Sequence, residues 1–444
     1  MELTGLSFEN YKAFAQREAL ELKPLTVLIG RNSSGKSAIA RLPLLLARAL
    51  SERAQSPVDL DIDGVDFGGS FVDLIHNRTP HGSIGLGATF ENDQGERYEV
   101  WARVQHFSEF EMQVVSAFEL KRTGYPALAF TWVLEDDPRV EPGRYKAQVG
   151  DGGDTFEVAL SFQGLWPTYV QVGRGAVGET DPRLVQLFGE LHYALVHLRP
   201  ALARLGYLGP FRTPPQRQYR FPGGMPQSVG VSGAEAPALL GADLLRKGGM
   251  VVKAVGEWYR KSLGGWVLDV SRQGASFSLV LRSPDDQNVE VNLADVGTGL
   301  SQVLPLVVQR HVDALAGQSL GLEVVEQPEL HLHPGAHGDL ADLYIQAAQY
   351  IQFTRQPRSR FIIETHSENF ILRIRRRIAE GVLDAGSVAL YWVDDEPRPG
   401  SQLRRITLSP SGDVSTWPKG VFSEDFEEVR AIRAAQRGER HEEA

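Results

Sequence analysis

The sequence contains no cysteine, only 4 methionines, and no apolar run approaching the ~18 residues of a membrane span. The first absence excludes disulfides and thiolate metal sites. The last, with an N-terminus that lacks a basic-then-apolar secretory pattern, leads to the expectation of a cytoplasmic protein without a membrane partner. Positive charge is not in excess either. The 46 Lys and Arg are outnumbered by 56 Asp and Glu, for a net charge of −10. That balance argues against a protein whose whole surface grips nucleic acid, while a local basic groove stays open. No heptad pattern is sustained over several turns, so no long coiled coil is expected. The remainder is ordinary for a large α/β chain: 444 residues, 42% hydrophobic and 23% charged, enough to bury a sizeable core in two or three structural units.

The most informative segment is Gly30-Arg31-Asn32-Ser33-Ser34-Gly35-Lys36-Ser37, which fills the phosphate-loop pattern G-x-x-x-x-G-K-[ST]. Glycines at both ends let the backbone curl so that its N–H groups point at phosphate oxygens, and the helix start adds its dipole. Lys36 then reaches the β- and γ-phosphates and the Ser37 hydroxyl serves Mg²⁺. A chance match in a Gly/Ser-rich turn is the alternative, but the context opposes it. Leu25 to Ile29 reads as a buried parallel strand, and Ala38 to Leu42 can begin an amphipathic helix.

Along the chain, Leu3 to Asn10 reads as a strand leading into Asn10-Tyr11-Lys12-Ala13-Phe14. From about Ile62 to Phe162 apolar residues tend to alternate at period two, with turn residues such as Asn92-Asp93-Gln94-Gly95 between the runs, as in an antiparallel meander. Residues 181–263 read as mostly helical, broken by a basic, aromatic, proline-rich stretch over 210–222. That break fits contact with a phosphate backbone or a base, and equally a rigid loop between lobes. Phe277–Leu281 and Val289–Leu293 are short strand candidates. The expected division is 1–60 as the N-terminal part of an ATPase core, 61–180 as an antiparallel β lobe, 181–275 as a helical insertion, 276–420 as the rest of the core, and 421–444 as a charged tail.

Three further groupings carry chemistry. Leu322-Glu323-Val324-Val325-Glu326 is a strand that ends in a carboxylate, which reads as the Walker B acid, with Glu326 beside the metal. Gln327, Glu329, His331 and His333 follow it, and the two histidines fit a structured loop better than a metal site. Phe361 to Glu364 is another buried strand, ending in Thr365-His366-Ser367, and strand ends in open α/β sheets converge on the ligand crevice. Last, Gly297-Thr298-Gly299-Leu300-Ser301-Gln302 precedes an apolar run and offers a second set of N–H groups at a helix start.

These residues together resemble the ABC-type ATPases of the RecF, SMC and OLD group, and more closely prokaryotic AAA-annotated ATPases of that group. The likeness runs from residue 1 to about 420 over five ordered motifs. It implies an α/β P-loop NTPase head with a RecA-like lobe, an antiparallel β lobe and a helical signature lobe, two such heads closing over two ATP molecules. It also implies roles for residues. Gly30 to Ala38 hold ATP, Ser37 and Glu326 hold Mg²⁺, and Gly297, Thr298, Gly299, Ser301 and Gln302 stand in for the signature loop. Glu326, Gln327, Glu329 and His366 form the catalytic edge, with His366 as the switch histidine.

One departure matters. The position after the Walker B acid, usually Glu in these ATPases, is Gln327, and an amide orients water without accepting its proton. Slow hydrolysis and a long-lived ATP-closed dimer follow, unless Glu329 supplies the carboxylate. The expected function is an ATP-driven switch or clamp acting with nucleic acid or a separate effector such as a nuclease or toxin, in genome maintenance or anti-phage defence. The alternatives are a RecF-like DNA-repair or end-binding ATPase, and a nucleotide-binding scaffold with little hydrolysis. A transporter ATPase is disfavoured because the signature departs from Leu-Ser-Gly-Gly-Gln. The arginine-rich segment Ile371 to Ile378 reads as a solvated amphipathic face or as a surface for nucleic acid.

Overall fold

The computed structural model describes residues 1–133, 137–150, 152–153, 155–172, 182–286, 288–316, 321–349, 359–395, 400–417 and 428–433. The charged tail expected over 421–444 lies largely outside these residues.

A six-stranded sheet carries the chemistry. Its order across the sheet is Leu205–Leu208, Leu322–Glu326, Arg360–Glu364, Leu25–Gly30, Val388–Asp394 and Gln402–Ile406. The first five run parallel and the last is antiparallel. Parallel strands are covered on both faces, and their side chains accordingly divide between two cores at period two. Val27, Ile29, Val325, Phe361 and Ile363 enter one core. Leu28, Leu322, Val324 and Ile362 enter the other. Glu323, buried in the same strand, is answered by the Arg310 guanidinium.

On the Leu28 face lies helix Lys36–Ala49, which buries Ile39, Leu42, Leu45 and Leu46. Beyond it a nine-stranded antiparallel sheet closes that core. The meander expected from the alternation is there as Ser83–Glu91, Arg97–Phe107, Met112–Arg122, Leu128–Trp132, Gly143–Val149, Thr155–Gln163 and Trp166–Val172. Its boundary differs from the expected 61–180. Strand Glu2–Glu9 pairs with Ser83–Glu91 and belongs to this sheet, because Leu3, Leu6 and Phe8 bury their side chains in its core.

On the other face, helices Pro334–Gln349 and Glu368–Ala379 pack over the sheet. Helices Ala236–Arg246, Met250–Ser262 and Leu304–Ala316 form a further layer with the small sheet built on Val267–Gln273 and Ser276–Arg282. The 181–275 segment is thus only partly helical. It gives the edge strand Leu205–Leu208 to the six-stranded sheet, since Leu208 is buried there and Tyr207 is needed at its end. The longest helix among the described residues is Pro182–Leu202, and none is long and apolar enough to cross a membrane.

Candidate nucleotide site

Strand Leu25–Gly30 is buried through Ile29 and opens into a loop that the glycines make possible. Gly30 has φ +155° and Gly35 φ +104°. A Cβ on Gly30 would stand 2.6 Å from the Val393 carbonyl oxygen, and one on Gly35 2.8 Å from the Phe14 ring. Both positions therefore exclude side chains on geometry and on space. Gly35, in the left-handed region, is the N-cap of helix Lys36–Ala49 and offers it no side-chain acceptor. An uncapped helix start at the end of a curled loop is an anion-binding geometry.

The loop borders a cavity of about 860 Å³, within the range of small-molecule sites, about 300–1,000 Å³. Asn32, Ser33, Gly35, Lys36, Ser37 and Ala38 of the loop and helix start line it, with Gln327, Glu364 and His366 from strand ends, Lys12 from the segment that follows the first strand, and Asp73 and Arg78 from the short helices over 71–78. Arg31 is exposed and lies 3.8 Å from Asp395. Ser34 is buried with its hydroxyl unpartnered. The Lys36 ammonium turns back on the loop and donates to the carbonyls of Gly30 at 3.0 Å and Arg31 at 2.5 Å. Burial holds its pKa below the usual lysine value, against the opposing pull of Glu364.

The acids are arranged differently from the sequence expectation. Glu326 ends its strand fully buried, with both oxygens taken: Arg41 donates from Nε at 2.6 Å and from Nη2 at 2.9 Å, and the Tyr207 hydroxyl donates at 2.8 Å. It does not line the cavity. Ser37 instead donates its hydroxyl to Glu364, at 3.0 Å from Oε1. The second oxygen of Glu364 is buried without a partner. Burial, with Glu326 nearby, pushes the Glu364 carboxyl up to about 7.

Glu329 is also buried and away from the cavity. Its Oε1 accepts the His366 backbone N–H at 2.6 Å, and desolvation raises its pKa. It holds the histidine turn and does not line the cavity. Gln327 does line the cavity, in a left-handed backbone conformation at φ +45°. Its N–H donates to the Glu364 carbonyl, which ties the two strand ends together. His366 lines the cavity, and its pKa is pushed down to about 4 by desolvation and by the Lys36 charge.

The Gly297–Gln302 segment forms the short helix Thr298–Gln302 with Gly297 as its N-cap and lines no part of this cavity. Gly297 and Thr298 are exposed, whereas Ser301 and Gln302 are buried. Gly299 rests against the backbone of His331, where a Cβ would come within 2.2 Å of the carbonyl oxygen. Gln302 donates to the Arg212 carbonyl, and Arg212 in turn donates to the carbonyls of Glu326 and Gln327, each at 3.1 Å. His337 bonds the Ser367 hydroxyl and the Leu332 carbonyl. The Gly297–Gln302 segment is thus linked to the end of strand Leu322–Glu326 by side chains that donate to backbone carbonyls, while standing outside the cavity.

Arg41, Tyr207, the contacts of Arg212 and the place of Glu364 beside Ser37 were not singled out from sequence. Arg41 follows Ser37 by four positions and so shares its helix face, which is the one signal available. His331 and His333 sit in a structured turn, where His333 Nδ1 accepts from the Gly335 N–H. Among the described residues no group of three or more His, Cys, Asp or Glu could hold a metal ion. The arginines of helix Glu368–Ala379 are engaged: Arg373 and Arg377 with Asp342, Arg376 with Glu380, and Arg375 with the Gly412 carbonyl. This face is a charge-paired surface, not a bare cationic one.

No protein-family model matches the sequence, and no curated protein matches it. Among solved structures the chain is similar to an SMC head domain from Thermotoga maritima, at 12% identity and TM-score 0.41, over 92% of this chain and 100% of that one. It is also similar to an SMC head domain with an extended coiled coil, bound to the C-terminal domain of ScpA and derived from Pyrococcus furiosus. There the identity is 11% and the TM-score 0.42, over 97% of this chain and 99% of that one.

Proposed function

We propose that this chain is an ABC-type ATPase head that binds ATP with Mg²⁺, hydrolyses it slowly, and closes with a second copy over the bound nucleotide. One observation carries the reading. An uncapped phosphate-loop helix, Lys36, Ser37, Glu364, Gln327 and His366 all face one cavity, while the glycine-rich segment Gly297–Gln302 stands outside it. A segment of that kind, exposed at Gly297 and Thr298, suits contact with nucleotide held by another copy.

The donors fit the groups proposed. The uncapped N–H groups at the start of helix Lys36–Ala49 suit phosphate oxygens, and Lys36 supplies the positive charge. The Ser37 hydroxyl and the unpartnered Glu364 oxygen are hard oxygen donors of the type Mg²⁺ takes, with one or two carboxylates completing a site otherwise filled by phosphate and water. Bound there, Mg²⁺ supplies charge neutralisation at the phosphates. Gln327 positions water without taking its proton, and His366 stays neutral at physiological pH, able to hydrogen-bond a phosphate or water. Positioning and charge stabilisation carry most of phosphoryl transfer, so turnover without a carboxylate base is slow but real.

The closed dimer is read as the signalling state, handed on to a nucleic acid or to a separate effector such as a nuclease. The paired arginines of helix Glu368–Ala379 favour the effector reading over direct gripping of nucleic acid there. Binding of a fluorescent ATP analogue and ATP-dependent dimerisation in size-exclusion chromatography test the proposal. Lys36→Ala is expected to abolish both with the fold intact. Unchanged nucleotide binding by that variant would overturn the reading. A pull-down with ATP beside the same variant identifies the partner.

A further inference from the structure

The two strand-end carboxylates divide the work in a way their positions in the sequence do not announce. Resting on the nucleotide-site reading above, we infer that Glu364 is the carboxylate serving Mg²⁺ beside Ser37, and that Glu326, at the Walker B position, is a structural anion that holds Arg41 and Tyr207.

Four observations support this assignment. The phosphate-loop strand Leu25–Gly30 has the Glu364 strand as its direct parallel neighbour, with Leu28 opposite Glu364; the Glu326 strand lies one place further out. The hydroxyl of Ser37, the loop's own metal-side group, points at Glu364. Glu364 lines the cavity with Lys36 and Ser37, whereas Glu326, Arg41 and Tyr207 do not. Glu364 keeps one buried oxygen without any partner, while three donors from two residues occupy both oxygens of Glu326.

The energetics point the same way. Moving Glu326 onto a cation would leave the Arg41 guanidinium facing a vacated carboxylate in a largely buried setting, and a buried charge that loses its partner is strongly destabilising. The bidentate Arg41 fork adds directional hydrogen bonds to that loss. Glu364 has the opposite accounting: a cation would satisfy an oxygen that is now buried and unpaired.

The test measures affinity for a fluorescent ADP analogue with Mg²⁺ and in EDTA, so that metal coupling is read without turnover. The wild-type chain is expected to bind more tightly with Mg²⁺. Glu364→Gln should lose that enhancement, read as the ratio of its own affinities with Mg²⁺ and in EDTA, by about 10–100-fold. Glu326→Gln should keep the enhancement and lose thermal stability. If it fails to fold, the double variant Arg41→Gln/Glu326→Gln, which removes both charges of the pair, takes its place. As a second readout, the electron paramagnetic resonance of Mn²⁺ bound with ADP should change with Glu364→Gln and Glu364→Asp and not with the Glu326 variant. Full metal coupling in Glu364→Gln, or its loss in the Glu326 variants, overturns the assignment. A wild-type chain that binds no nucleotide at all overturns instead the nucleotide-site reading on which it rests.

Discussion

Glu326 and Glu364 stand opposite each other in register at the last residues of neighbouring parallel strands, yet one is closed off by Arg41 and Tyr207 and the other opens onto Ser37 and the cavity. Two like charges side by side in a buried place cannot both be ionised cheaply. The arginine fork answers one of them, and burial first, then the neighbouring Glu326 charge, raise the pKa of the other.

That rise is measurable. Glu364 has a pKa near 7 when folded, against 4.5 as the ordinary value. The folded state therefore holds a proton that the unfolded state has released between those values. Stability should fall as pH rises from about 4.5 to 7 and then level off, by at most about 3 kcal/mol. In EDTA, Glu364→Gln is expected to flatten this part of the stability profile and to melt higher than wild type at pH 8. Equal pH slopes for the two proteins in urea titrations would contradict the raised pKa.

The Arg41–Glu326 pair makes a second prediction. Arg41→Ala leaves Glu326 buried with only Tyr207 as a donor, and breaking a buried pair on one side costs roughly 3–5 kcal/mol. Arg41 is 30% exposed, so the lower end is expected. Chemical denaturation measures it; a loss under about 1 kcal/mol would place the pair among surface-type bridges.

Gln327 sits at the cavity where a carboxylate would act as base. Gln327→Glu is expected to raise phosphate release, by up to about 10²–10⁴-fold if proton transfer limits the rate. A fall or no change in turnover, with nucleotide binding preserved, would show that the amide is not what holds the rate down.

Gly299 offers a test of the link between the signature-like segment and the catalytic edge. Its substitution by Ala places a methyl 2.2 Å from the His331 carbonyl oxygen. Overpacking of that kind costs about 1–3 kcal/mol and should push the segment away from the His331–Leu332 backbone. ATP-dependent dimerisation should weaken more than nucleotide binding by the single chain. If both fall equally, the contact is only a matter of packing.

Much of the site was legible because its chemistry is local. Gly30 to Ser37 act through consecutive backbone groups, and a loop that must curl and then start a helix demands glycines at fixed offsets. His366 and Gln327 could be placed at the cavity because each follows a buried strand, and parallel strands deliver their ends to one edge. The meander, expected from about 62 to 162 and found over 83–172, showed itself by alternation at period two, though its pairing with Glu2–Glu9 did not, since a strand's sequence carries its face but not its neighbour.

The amino-acid sequence alone therefore determined that there is a phosphate-loop pattern, that two apolar strands tipped by acids follow it, and that Gln327 comes directly after the first of these acids. Only the tertiary structure decided which carboxylate opens onto the cavity. Glu326 and Glu364 end similar apolar strands, and nothing in either strand distinguishes them. The distinction comes from Arg41 on the phosphate-loop helix and Tyr207 on an edge strand more than a hundred residues before Glu326, both brought to one oxygen pair by the stacking of strands. Charge pairing across distant segments depends on that assembly, because it is set by which side chains meet in a dry interior and not by their spacing along the chain.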